Sequence, residues 1–315
     1  MLVDEVLEAL APVSDGFYVD ATFGRGGHSA RLLEALGGEG RVLALDRDPQ
    51  AIAAARARFA DELRLTVVHA PFADLRQVVR DHAGGRAVRG VLFDLGVSSP
   101  QLDQPERGFS FVKDGPLDMR MDPSVGEPVS KWLARAGVDE VRKVISELGE
   151  ERFARRVALA IDAARRETPI TRTAQLAAIV QSAVRTREPG KHPATRTFQA
   201  LRMFINDELG QIRSGLAAAF DVLAPGGRLV VISFHSLEDR LVKQFMRSKS
   251  SEDPVYAGLP DVPPHARPQM RLIGRKLRAD EAQVRANPRA RSAVLRVAEK
   301  LPPALDAPDA RIRAR

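Results

Sequence analysis

The sequence predicts an α/β protein: a Rossmann-like, mostly parallel sheet with helices on both faces, interrupted by an inserted all-helical region. Three observations predict it. In the first hundred residues short apolar runs alternate with helical patterns, and strands alternating with helices make βαβ units whose crossovers cover a parallel sheet. From 105 to 204 the strand pattern gives way to helical periodicity. A turn at Pro225-Gly226-Gly227 then leads into a new apolar strand. The sheet domain is therefore expected to be discontinuous, formed by 1–104 and 205–315, with 105–204 as the insert.

The elements follow in order. Residues 17–22, 41–46, 65–69 and 91–95 read as buried strands. Helices are expected over 29–36 and 49–59, the second with Asp48 as N-cap and Pro49 at the first helical position. The Gly, Pro and Asp content of 100–128 predicts loop. A helix over 150–166 follows from Phe153, Val157 and Ile161, and one over 195–222 from the stripe Leu201, Ile205, Leu209, Ile212 and Leu216. Beyond 250 the chain is rich in Pro and Arg, with one β-like run at 292–297 and a mobile end expected after Pro302.

Composition narrows the function classes. With 315 residues, 44% hydrophobic and 28% charged, the chain is of ordinary globular make-up. No apolar run approaches the roughly 20 residues that span a bilayer, and Asp4, Glu5 and Glu8 do not suit a signal peptide. A cytoplasmic location with no membrane partner is expected. Cysteine is absent, which excludes disulfides, thiolate nucleophiles, thiolate metal sites and cysteine-held iron–sulfur clusters. A net charge of +7 and an isoelectric point near 10.1 favour a polyanionic partner, since clustered cations release counterions from phosphates. Arg185, Arg187, Lys191, Arg196 and Arg202 lie close together, and 267–296 is basic again.

The segment Asp20-Ala-Thr-Phe-Gly24-Arg-Gly26-Gly27-His28-Ser29 follows the first strand and opens a helix. Glycines there allow close approach of the backbone to a ligand. A dinucleotide fingerprint would need a third glycine three places after Gly26, where Ser29 stands. Asp20, at the end of the first strand, suits the cationic amino-acid end of S-adenosylmethionine better than a pyrophosphate. Asp46 closes the second strand, where a carboxylate can accept hydrogen bonds from ribose hydroxyls. Phe72 follows the third strand and is read equally as an adenine-stacking ring or as core.

The fourth strand ends in Asp94, followed by Ser98-Ser99-Pro100-Gln101, a loose relative of the acid or Ser/Asn followed by Pro-Pro-aromatic of amino-group methyltransferases, without the aromatic. Asp94, Ser98 and Ser99 are the candidate catalytic residues, as acceptors for the N–H bonds of a target amine. His235, Glu238 and Asp239 follow the last parallel strand. They are read first as a helix cap and second as a catalytic dyad or metal site. Since no His or acid spacing in the sequence supplies the further ligands a metal needs, no metal is expected.

Long ordered motifs carry a resemblance. The glycine-rich segment, Asp46-Arg-Asp-Pro49, Asp94-Leu-Gly-Val-Ser-Ser-Pro-Gln-Leu-Asp103, Asp114-Gly-Pro-Leu-Asp-Met-Arg-Met-Asp122, His192-Pro-Ala-Thr-Arg-Thr-Phe-Gln199 and Asn287-Pro-Arg-Ala-Arg-Ser292 resemble the bacterial RsmH (MraW) methyltransferases over nearly the whole chain. The resemblance implies a class I methyltransferase sheet and S-adenosylmethionine-dependent methylation of the exocyclic N4 of a cytidine in the decoding centre of 16S ribosomal RNA. It implies that Gly26, Gly27, His28, Asp46, Phe72, Asp94 and Gln101 contact the cofactor. Small-subunit RNA or the assembled 30S subunit is then the partner. Lys191, His192, Arg196, Arg289 and Arg291 are the candidates to hold it, with monomer and homodimer both open. Members usually carry a short extension with a His-x-Pro-Val-like element before the opening helix, so a truncated start is expected here. Competing classes are an RNA-binding assembly factor without turnover, a DNA amino-methyltransferase and a nicotinamide-dependent dehydrogenase.

Overall fold

The structure, a computed structural model, describes residues 1–184, 192–256, 262–263 and 266–303. The chain opens with α1 (Val3–Leu10), β1 (Phe17–Asp20), α2 (Gly27–Ala35), β2 (Arg41–Asp46), α3 (Pro49–Arg58), β3 (Leu65–His69), α4 (Leu75–His82) and β4 (Val88–Asp94). Helices α5 (Ser99–Asp103), α6 (Val129–Arg135), α7 (Val138–Gly149), α8 (Ala154–Glu167), α9 (Thr173–Ala183), α10 (Thr195–Ile205) and α11 (Glu208–Val222) come next. The chain then forms β5 (Leu223–Ser233), α12 (Ser236–Ser250), β6 (Met270–Leu272), β7 (Leu277–Arg278), α13 (Glu281–Ala286) and β8 (Val294–Lys300). It divides into two compact units, Met1–Gly96 with Gln211–Arg315, and Val97–Gly210.

The first unit is a Rossmann-like α/β sheet, with strand order β3-β2-β1-β4-β5-β8-β6 and β7 beside β8. Strands β1 to β5 pair in parallel, while β8 runs antiparallel between β5 and the short β6 and β7. Central strands are buried on both faces, as the apolar runs required: Leu43, Ala44, Leu45, Val91, Val230, Val231 and Ile232 are all 0% exposed. Asp48 caps α3 by accepting the Gln50 N–H at 3.0 Å, with Pro49 in the first turn. The chain leaves β1 toward β2 and β3, then returns to β4 on the other side of β1. Ligands of such sheets bind at the carboxyl ends of the two strands flanking this reversal.

The second unit packs α6 to α10 around its own core, in which Leu133, Ile145, Val157, Ile161, Leu176, Val180 and Leu201 are fully buried. Trp132 joins it, its indole N–H donating to Glu140 Oε1 at 3.0 Å. The loop foreseen over 100–128 is corrected at its start, where Pro100 at the first turn and the Ser98–Gln101 capping box make the short helix α5; residues 104–128 are largely irregular, as expected, yet they are pinned. Buried Arg107 donates to the carbonyls of Arg120 and Met121 at 3.2 and 2.9 Å.

One expectation is corrected: the helix foreseen over 195–222 is two helices, α10 and α11, with Asp207 between them at φ 45°. The buried Asn206 side chain accepts from Met121 N at 2.8 Å and donates to Met119 O at 2.7 Å and Arg202 O at 2.8 Å. These bonds tie the helix end to the irregular segment and outweigh the continuing apolar period. Met119 itself is 0% exposed and held at φ 65°, a strained conformation for a residue with a Cβ. Among the described residues no helix is long and apolar enough to cross a membrane.

Asn206→Ala strips partners from a buried N–H and a buried carbonyl and releases Met119. Urea unfolding should register a loss of about 2–4 kcal/mol, with the transition of the helical unit moving ahead of that of the sheet.

Candidate cofactor site

The glycine-rich turn is built around a buried carboxylate. Asp20, at the end of β1, is 1% exposed. Its Oδ2 accepts the Ser29 hydroxyl at 2.6 Å and its Oδ1 the Thr22 N–H at 3.2 Å. Burial pushes its carboxyl above the usual range, opposed by the Ser29 bond. This corrects the expectation that Asp20 faces the cationic end of a ligand: the carboxylate is buried inside the turn, which its two hydrogen bonds brace.

Two more carboxylates stand at the same sheet edge. Asp46 ends β2, where Oδ2 accepts Gly24 N–H at 2.7 Å and Oδ1 accepts Asp48 N–H at 2.8 Å. Burial pushes its carboxyl up to about 6, against the pull of those two donors. Asp94 ends β4, and its backbone N–H donates to Thr22 Oγ1 at 2.6 Å. His28, in the first turn of α2, places Nε2 3.3 Å from Asp94 Oδ2. His28 Nδ1 and Asp94 Oδ1 are buried and have no hydrogen-bond partner among the described residues. Buried polar atoms need partners, and a ligand or water at this edge would supply them.

The two glycines at the start of α2 have different reasons. Gly26 has φ 71°, and a Cβ there would fall 2.5 Å from Phe23 Cζ and 2.8 Å from Phe59 Cε2. Phe23 and Phe59 meet edge to face at 5.9 Å beneath the turn. Gly26 is thus demanded by the fold. Gly27 has no such constraint: a Cβ there would meet nothing within 4 Å. The space over Gly27, beside the free N–H groups of a helix N-terminus, suits a carboxylate and is what a Cβ would fill. The donors and acceptors at this edge fit S-adenosylmethionine: helix N–H groups for its carboxylate and Asp46 for its ribose diol.

Phe72 packs against the core, as one of its two readings expects. It meets the buried Phe93 edge to face at 5.4 Å and is only partly buried. Gly215 of α11 admits it, since a Cβ there would fall 2.7 Å from Phe72 Cδ2. Thr22 and Gly215 were not singled out in the sequence. Thr22 had a signal, as a hydroxyl in the strand-to-helix turn, whereas Gly215 is one small residue in a helix and had none.

The remaining candidates are more dispersed. Ser98, Ser99 and Gln101 belong to the helical unit, at the start of α5. Buried Gln101 uses Oε1 to accept the Ser98 N–H at 2.9 Å, and Ser99 is exposed. His192 accepts the Ala194 N–H through Nδ1 at 3.1 Å and stacks on Phe111 with ring centroids 4.6 Å apart. Arg196 donates to the Glu150 carbonyl, and Arg202 forms a two-pronged ion pair with Glu208 at 2.7 and 2.8 Å. Arg289 and Arg291 are exposed on a short 3-10 turn, Pro288–Ser292. Arg185, Arg187, Lys191 and the end beyond residue 303 lie outside the described residues. His235 caps α12, accepting Glu238 N–H at 3.4 Å, while buried Glu238 accepts the Phe234 N–H at 2.7 Å. The helix cap expected of His235 is observed, whereas Asp239 takes no part in it and pairs with Arg296.

The MraW methylase family matches residues 1–301. The protein named ribosomal RNA small subunit methyltransferase H from Dechloromonas aromatica is 56% identical over 304 residues, spanning 96% of this chain and 97% of the relative. Its namesake from Thioalkalivibrio sulfidiphilus is 55% identical over 302 residues, 96% of each chain. Among solved structures, an rRNA methylase from Streptococcus thermophilus is 14% identical with a TM-score of 0.42, over 96% of this chain and 98% of that one.

Two measurements separate fold from ligand in this turn. Gly27→Ala should leave the melting temperature within a degree or two yet weaken S-adenosylhomocysteine binding at least tenfold by calorimetry. Gly26→Ala should lower both, the fold by about 2–3 kcal/mol through backbone strain and overpacking. For Asp46 the raised pKa favours the neutral form, whereas hydroxyl donors prefer the carboxylate. Affinity should therefore rise with pH through about 6 and level off near 7. Asp46→Asn should flatten that profile and cost roughly 10- to 100-fold in affinity.

Proposed function

This chain belongs to the MraW methylase family, and from that premise we propose that it methylates the exocyclic N4 of a cytidine in the decoding centre of 16S ribosomal RNA. S-adenosylmethionine is the methyl donor, and when bound it supplies an electrophilic methyl on a sulfonium. The two relatives at 55–56% identity are named as methyltransferases of small-subunit ribosomal RNA, which supports ribosomal RNA as the substrate class. Absence of cysteine supports an amine target, because methylating C5 of a pyrimidine needs a thiolate adduct.

In this reading Gly26, Gly27 and His28 hold the amino-acid end of the cofactor, Asp46 its ribose and Phe72 its adenine. The observation that carries the chemistry is the buried, unpartnered Oδ1 of Asp94 at the end of β4. A cytosine amine is a weak nucleophile because its lone pair is delocalised into the ring. A carboxylate accepting one N–H draws that proton toward itself, localises the lone pair and favours a pyramidal nitrogen as attack begins. Asp94 thus orients and polarises the amine and would take up the proton it gives up as the nitrogen–methyl bond forms and the methyl–sulfur bond breaks, leaving S-adenosylhomocysteine, while alignment of the reactants supplies the rest of the acceleration. Ser98 and Ser99 are proposed as further acceptors on the same grounds of residue type and chain position.

The test of the reaction is mass mapping of methylated nucleotides in small-subunit RNA from cells with and without the gene, with labelled S-adenosylmethionine and purified subunits as the in vitro arm. One cytidine should lose a methyl group in the deletion strain. Labelling of DNA, or RNA binding without any transfer, would overturn the assignment. Asp94→Asn should lower the single-turnover rate at saturating cofactor roughly a hundredfold. Equal rates for Asp94→Asn, Ser98→Ala and Ser99→Ala would remove these residues from the mechanism.

A further inference from the structure

The sheet register places a cluster of unabsorbed cations on the reactive edge. Asp94 of β4 pairs with Ile232 of β5, Ile232 with Leu295 of β8, and Leu295 with Leu277 of β7. One row of residues thus runs across the sheet from Asp94 to Leu277. At about 4.8 Å per strand it spans roughly 14 Å. Lys276 and Arg278 flank Leu277, and both are exposed.

Neighbouring elements extend the cluster. In the first turns of α12, Asp239 is gripped by Arg296 of β8, with Nε to Oδ1 at 2.7 Å and Nη2 to Oδ2 at 3.0 Å. That arginine holds the Asp239 carboxyl below the usual range, and Lys276 and Lys243 lower it further. Lys243 and Lys276 therefore lie around an acid already neutralised by Arg296. Neither they nor Arg278 forms an ion pair among the described residues. Asp280 and Glu281 are the acids that follow in sequence; Asp280 caps α13 and Glu281 faces Arg285 at 3.5 Å.

We propose that Lys243, Lys276 and Arg278 form a phosphate-docking face for the substrate RNA, beside the point where the target base is methylated. This rests on the ribosomal RNA reading above and adds to it a surface on the sheet unit. Cations also blunt exposed edge strands against pairing with other chains, but that purpose needs no cation on α12. Lys243 of α12, which acts on the same acid as Lys276, extends the charge beyond the strand edge. A polyanion crossing from Asp94 over the ends of β5 and β8 meets these three side chains together.

The experiment compares the wild type with the triple variant Lys243→Gln, Lys276→Gln, Arg278→Gln. A control variant removes the same charge from exposed positions on other elements, Arg56→Gln, Arg80→Gln and Arg89→Gln. Affinity for purified small subunits is measured across salt, with melting temperature and S-adenosylhomocysteine binding as checks on fold and cofactor site. The triple variant should bind at least tenfold more weakly at low salt. Its log–log salt slope should fall by about two units, at about 0.7–0.9 for each phosphate no longer neutralised. The control should weaken far less. If the wild type methylates subunits while the triple variant keeps its slope, the docking face is wrong and the reaction stands. If the wild type transfers nothing to subunits, both fall together.

Discussion

Every feature of the cofactor edge depends on burying the Asp20 carboxylate. An isolated charge in that position would be costly. Here the Ser29 hydroxyl and the Thr22 N–H meet it, and those bonds set the path of the chain from β1 into α2. Thr22, once placed, holds the end of β4 through the Asp94 N–H. Gly24, carried on the same turn, reaches the carboxylate of Asp46 at the end of β2. A single buried acid thus registers the ends of three strands. The ends of β2 and β4, with Asp46 and Asp94, are both tied to the turn that Asp20 braces.

The turn also shows two different demands on one residue type. Beneath Gly26 a pair of phenylalanines packed edge to face leaves no room for a side chain, so packing selects the glycine. Above Gly27 nothing in the described protein objects to one. Rigid aromatic support below and open space above make a stiff cradle, and stiffness keeps the entropy cost of binding low. In the helical unit the same economy recurs, with Asn206 serving three backbone groups at once.

Much of this was legible in the residues. Asp48 followed by Pro49 announced a helix start, and Asp46 at the end of an apolar run announced a carboxylate at the ligand edge, because local chemistry decides both. The break at Asn206 was not legible: Leu201, Ile205, Leu209 and Ile212 keep helical period across it, while the bonds that stop the helix come from Met119 and Met121, far away in sequence. Asp20 misled for a related reason, since an acid at a strand end reads alike whether it faces a ligand or its own turn. Arg196 and Arg202 contributed to a basic stretch in the sequence, yet one bonds the Glu150 carbonyl and the other Glu208. Formal charge counts cannot tell such cations from Lys243 or Lys276.

The interruption of the sheet has a consequence for how the protein is made. Strand β4 is central, hydrogen-bonded to β1 on one side and β5 on the other. More than a hundred residues of helical unit separate β4 from β5 in the chain. At a ribosome adding about 5–20 residues per second, that stretch takes roughly ten seconds to emerge. For that interval the nascent sheet of β1 to β4 carries an apolar strand with one edge unpaired, the form most prone to association. The insert meanwhile carries a core of its own, in which Leu133, Ile145, Val157 and Ile161 are buried, so its apolar side chains do not need β5 for cover.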